Sequence, residues 1–149
     1  MLTKLLRRVG LAPTPVATAP SPIVNPIIDV TDATFADVVL AADRLVVVDF
    51  WADWCQPCQI MSAYVGFLAK DLGDQIVLAA LDVDENPETP THYDIMDLPT
   101  LLLFHHGQVV DRIVGVEPYE AIRARVAAQI VEQREDDRAV DSRQSMSLS

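Results

Sequence analysis

The sequence has only two cysteines among its 149 residues. Two are too few for the disulfide-dense framework of a small secreted domain. Cys55 and Cys58 also stand too close together to staple a long loop. Basic residues are scarce: 11 Lys and Arg stand against 22 Asp and Glu, giving a net charge of −11 and a pI near 4.4. A chain of this sign repels phosphates, so no nucleic-acid partner is expected. No apolar run reaches the roughly 18 residues a membrane span needs. A secretory signal is not expected either. The start "MLTKLLRRV" is basic, but "GLAPTPVATAPSP" after it is broken by prolines and lacks an apolar core. No internal repeat is visible. What is present is a half-hydrophobic chain of the length of one domain, able to bury a core.

Composition divides the chain into three zones. Residues 1–26 contain no acid, carry Lys4, Arg7 and Arg8, and continue into prolines 13, 15, 20, 22 and 26. Leu2, Leu5, Leu6 and Val9 fall on one helical face. The segment fits three readings: a short amphipathic start with a flexible spacer, an organelle presequence, or a docking helix. Residues 27–131 form the expected domain, with 17 acidic and five basic residues, a formal charge of −12. Residues 132–149 are charged and then Ser-rich, and a disordered tail is expected there.

Within the domain, hydrophobic periodicity alternates between strand and helix. "PIIDV" suggests a short strand, followed by a helix through Phe35, Val38 and Val39 capped by Thr31 or Asp32. "RLVVVDFWA" predicts a buried central strand. From Gln56, residues Ile60, Met61, Tyr64, Val65 and Leu68 trace a helix face that Gly73 can end. "QIVLAALDV" predicts another strand, and "NPETPTHY" a short helix or turn. "PTLLLFHHGQVVDRIVG" predicts a hairpin turning at His106-Gly107. Pro118 opens a last helix with Tyr119, Ile122, Val126 and Ile130 on one face. The expected order is β-α-β-α-β-α-β-β-α, an α/β fold with a mixed sheet.

In "WADWCQPCQI" the cysteine pair lies where a strand gives way to a helix. Residues three apart on a helix share a face, so the two sulfurs can meet. The free N–H groups and positive dipole end of the helix favour a thiolate on Cys55, and the thiolate is the nucleophile of disulfide exchange. Pro57 fits the first turn, where its missing N–H has no partner to lose. Zinc is the competing reading, but its common sites add a second CxxC or a spaced His pair. No other cysteine exists, His105 and His106 are adjacent near a hairpin tip, and His92 is alone. No metal site is therefore expected. Asp49 interrupts an otherwise apolar strand; burial without a partner raises a carboxyl pKa and suits it to moving protons near neutrality. The alternative is a hydrated position at the strand end.

"VVDFWADWCQPC" with "LPTLLLFHHGQVVDRIVG" resembles the thioredoxin family over about residues 27–131. The resemblance implies a thioredoxin fold, a central mixed five-stranded sheet flanked by helices. It implies that Cys55 attacks, that Cys58 resolves, that Asp49 handles the resolving thiol's proton, and that Pro99 is a cis-proline facing the disulfide. It implies a substrate-facing surface from Trp54, Gln56, Pro57, Leu98, Thr100 and Gly115, with Trp51 as the second aromatic of the site. The implied activity is reduction of protein disulfides without a bound cofactor. The implied partners are disulfide-containing proteins and a thioredoxin reductase or equivalent donor. A cytoplasmic monomer is expected, or an organelle stroma or matrix location if residues 1–26 are a presequence. The alternatives are a disulfide oxidase or isomerase, against which Pro57 argues, and a thioredoxin-fold binding or chaperone module.

Several positions depart from the family pattern. Gln56 replaces the usual first-spacer glycine, and Gln59 the basic residue after the second cysteine. Ala80 replaces a lysine near the buried aspartate, Ala63 a helix-kinking proline, and Asp97 a glycine near the cis-proline. Together they remove positive charge around the site and add negative charge.

Overall fold

The computed structural model describes residues 26–147. The amphipathic start and most of the proline-rich segment expected over residues 1–26 lie outside that range. Five strands form one sheet: β1 (Ile28–Asp29), β2 (Leu45–Trp51), β3 (Ile76–Asp82), β4 (Thr100–His105) and β5 (Gln108–Val114), in the order β1-β3-β2-β4-β5. The β1–β3 and β2–β3 pairs are parallel; β2–β4 and β4–β5 are antiparallel. Helices α1 (Gln56–Leu72), α2 (Glu88–His92) and α3 (Tyr119–Met146) and a π-helical turn at Ala36–Leu40 complete the fold. Among the described residues no helix is long and apolar enough to cross a membrane.

β2 is central, and its side chains alternate between two cores. Leu45 and Val47 join Met61, Val65 and Leu68 of α1, Leu101 and Leu103 of β4, and Ile122, Val126 and Ile130 of α3. Val46, Val48 and Phe50 face the other way, against Phe35, Val39, Leu102 and Phe104. By this alternation Asp49 falls on the α1 side of the sheet. The β4–β5 hairpin turns through His106 (φ 47°) and Gly107 (φ 77°). Two consecutive left-handed residues give the turn whose twist matches paired strands. A side chain on Gly107 would also meet the Leu40 carbonyl oxygen at 3.3 Å.

Three expectations change. The first helix is only a short turn. Thr31 caps its approach, its hydroxyl accepting the Thr34 N–H at 3.2 Å while its own N–H donates to the Thr34 hydroxyl at 2.9 Å. Asp32 turns away to α2: its carboxylate accepts the N–H groups of Glu88 (3.1 Å) and Thr89 (2.8 Å) and the Thr89 hydroxyl (2.6 Å). Residues 132–146 are helical, where a disordered tail was expected; they continue α3 to Met146. The segment contains no Gly or Pro, and extending an existing helix needs no new nucleus. α1 ends where expected, but Gly73 remains right-handed (φ −61°), so its freedom to adopt positive φ is not used there.

Candidate active site

β2 carries the chain to Trp51 and a short turn delivers Cys55 to the start of α1. Cys55 is the N-cap residue, with extended backbone (φ −90°, ψ 104°), and Pro57 and Cys58 occupy the first turn. The helical offset of three brings the cysteines into a disulfide with a Cα–Cα distance of 5.3 Å, within the usual range. Both are largely covered, at 5% and 3% exposure, and form a small cluster with Ala52, bordered by Trp51, Val83 and Leu98.

Behind the disulfide a cleft of about 410 Å³ connects Cys55 and Cys58 to Asp49. Asp29, Asp53, Gln59, Ser62 and Ala80 also line it, and among the described residues no basic one does. Asp49 is 3% exposed, and its Oδ1 is buried without a hydrogen-bond partner. Loss of hydration pushes its pKa up to about 7. Ala80 stands opposite Asp49 in the β2–β3 register and opposite Asp29 in the β1–β3 register. Asp29, Ala80 and Asp49 thus make one row across three strands, with a methyl group at its centre and a carboxyl at each end.

The surface above the disulfide comes from separate loops. The Leu98–Pro99 bond is cis, and the Pro99 carbonyl accepts the Gly115 N–H at 2.8 Å. Gly115 adopts φ 79°, a conformation glycine tolerates without steric cost, and the space beside its Cα is open. Trp54 is 69% exposed, and Gln56 and Pro57 are exposed on the helix start. Thr100 differs from expectation: it is 1% exposed, and its hydroxyl donates to the Asp97 carbonyl at 2.6 Å. It braces the loop before β4 and does not present its side chain to a partner.

Two site residues escaped the sequence reading. Asp84 accepts the Trp54 indole N–H at 3.0 Å, fixing the exposed ring from 30 residues away. Asp29 reaches the cleft only through strand pairing. Neither carries a local sequence signal. Ala63, where a kinking proline is common, sits within a helix that runs unbroken for 17 residues.

Comparison with known proteins agrees with this geometry. The thioredoxin family model matches residues 26–128. Thioredoxin from Mycobacterium tuberculosis is 44% identical over 95 residues, covering 64% of this chain and 82% of that protein. Thioredoxin from Alicyclobacillus acidocaldarius is 42% identical over 97 residues, covering 65% and 91%. The bifunctional thioredoxin reductase/thioredoxin of Mycobacterium leprae is 42% identical over 95 residues, covering 64% of this chain and 21% of that longer protein. The helix-start disulfide, the five-stranded mixed sheet and the matched family model together place the chain in the thioredoxin family, as a thiol-disulfide oxidoreductase that reduces protein disulfides.

Proposed function

We propose that Cys55, Cys58 and Asp49 divide the exchange reaction between them, with the rim formed by exposed Trp54 and half-buried Leu98 and Gly115 around buried Pro99 receiving the substrate. The observation that carries this reading is the buried, unpartnered Asp49 carboxyl in the same cleft as both cysteines. In the reduced protein the Cys55 thiolate attacks one sulfur of a substrate disulfide. A Cys55–substrate disulfide forms, and the other substrate sulfur leaves as a thiolate and takes up a proton. Asp49 then accepts the Cys58 proton, directly or through water. The Cys58 thiolate attacks the Cys55 sulfur and expels the second substrate thiolate. Two electrons pass from the dithiol to the substrate. A pKa of about 7 leaves Asp49 able both to accept this proton and to release it through the cleft.

The oxidised pair is reduced again by a thioredoxin reductase; the Mycobacterium leprae relative, whose name joins the two activities in one chain, supports that choice of donor. We place the cycle in a reducing cytoplasm, which sequencing the mature N-terminus would check against an organelle presequence. Cys58→Ser should trap a mixed disulfide between Cys55 and a protein substrate such as insulin, visible by non-reducing electrophoresis. Turnover at the wild-type rate in that variant would overturn the assignment.

A further inference from the structure

At the end of β4 away from the disulfide, the hairpin tip meets the extended part of α3. Odd-numbered residues of β4 face α3: Leu101 and Leu103 enter its core, and His105 is the next position on that face. Adjacent strand residues normally point to opposite sides, so His106 would face away. The left-handed backbone at His106 instead swings its ring back, and the two imidazole centroids lie 4.0 Å apart. Asp137, on the helical extension, approaches the pair, with its Oδ1 3.4 Å from His106 Nε2. One donor atom from each of His105, His106 and Asp137 lies within 4.8 Å of the other two.

We propose that His105, His106 and Asp137 bind a divalent transition metal of the zinc class, which clips the α3 extension to the β4–β5 hairpin. Two imidazole nitrogens and a carboxylate oxygen are ordinary zinc ligands, and a three-ligand site completes a tetrahedron with water. Donors around such an ion lie about 3.3 Å apart, given bonds of about 2.0–2.1 Å. The group must therefore contract by at most roughly 1.5 Å. His106 and Asp137 are more than half exposed and free to rotate that far.

Two further observations point to a ligand here. His105 Nε2 is buried and has no hydrogen-bond partner, which is costly unless something occupies it. Asp141 stands one helical turn beyond Asp137 and lines the same groove with Asp136, offering a second carboxylate or a partner for the metal-bound water. Such a clip also answers a packing deficit. Beyond Ile130 only Gln133 of α3 is buried, so little apolar contact holds the extension against the domain. Five residue steps along β4 separate His105 from Thr100, about 17 Å at the rise of a strand. The site is therefore distinct from the redox centre.

The test is titration of the full-length, oxidised protein with zinc chloride by calorimetry, and with cobalt chloride by visible absorption. The Cys55–Cys58 disulfide keeps the thiols from competing for metal. The expected result is one saturable site with a tetrahedral cobalt spectrum. His106→Asn retains a residue suited to the left-handed turn, and Asp137→Asn is isosteric. Each should weaken binding at least about tenfold by removing one of three ligands. Insulin reduction at the wild-type rate would show that these variants remain folded. Zinc should also protect the arginines of the extension, Arg134, Arg138 and Arg143, from trypsin in the wild type and not in the variants. Absence of saturable binding by the oxidised protein, or unchanged affinity in the His106→Asn/Asp137→Asn double variant, would overturn the proposal.

Discussion

At the scale of single residues, Asp49 has the largest thermodynamic consequence. Its carboxyl titrates at about 7 in the folded protein and at 3.8 when unperturbed. The folded state therefore binds this proton more tightly than the unfolded state. Asp49 costs no ionisation penalty below pH 4, and stability falls as pH rises from there through 7. The difference corresponds to about 4 kcal/mol. Asp49→Asn should remove this slope. Relative to the wild type, the variant should gain stability between pH 4 and pH 7 and hold a gain of a few kcal/mol above that. Urea denaturation of both oxidised proteins at pH 4 and pH 8 checks it; a constant stability difference between the two pH values would contradict it.

Ala80 is the complementary position. A lysine there would place its ammonium between Asp29 and Asp49 on the same sheet face. Ala80→Lys should lower the Asp49 pKa by about one to three pH units, the usual effect of a nearby opposite charge. The added positive charge should also lower the pKa of the Cys55 thiol. Carboxyl NMR titration measures the first effect and ultraviolet titration of thiolate formation in the reduced proteins the second, and identical curves would contradict the role given to Ala80. Much of this site was legible in the sequence, because each signal was a local exception. Asp49 broke an apolar strand, and the cysteine spacing matched one helical turn. Asp29 and Asp84 were not legible, since strand pairing and a 30-residue contact bring them in.

At the scale of elements, the strands and the central helix followed from periodicity, while their ends depended on partners far along the chain. Asp32 shows why. Its sequence position marks it as a cap for the helix that follows, but 56 residues later Pro87 and Glu88 open α2 within reach of its carboxylate. Burial alone would raise the Asp32 pKa, but the bonds from Thr89 and Glu88 outweigh it and hold the group below its usual value. This stabilisation is present above the unfolded pKa and is lost as pH falls through the folded one. Asp32→Ala should destabilise the protein by about 1–2 kcal/mol, as loss of a helix cap does. It should shift the urea midpoint at pH 7 and have a smaller effect at pH 3. An equal shift at both pH values would show that the side chain acts through packing alone. α3 teaches the same lesson. Its buried face ends at Ile130 and Gln133, so hydrophobic pattern could not announce the helical residues beyond.

At the scale of the whole molecule, the fold brings three remote segments to one end of the sheet: the start of α1, the loop before β4 and the end of β5. The disulfide lies at their junction, with an acidic cleft behind it and exposed Trp54 beside it. Departures from the family pattern at Gln59, Ala80 and Asp97 alter the charge of this end without removing any reacting atom. The reduction potential of the Cys55–Cys58 pair, from equilibration with glutathione, is the most direct measure of the account. Reductase function predicts a value near the family's familiar figure of about −270 mV. A value near −120 mV, about that of a dedicated oxidant, would contradict it.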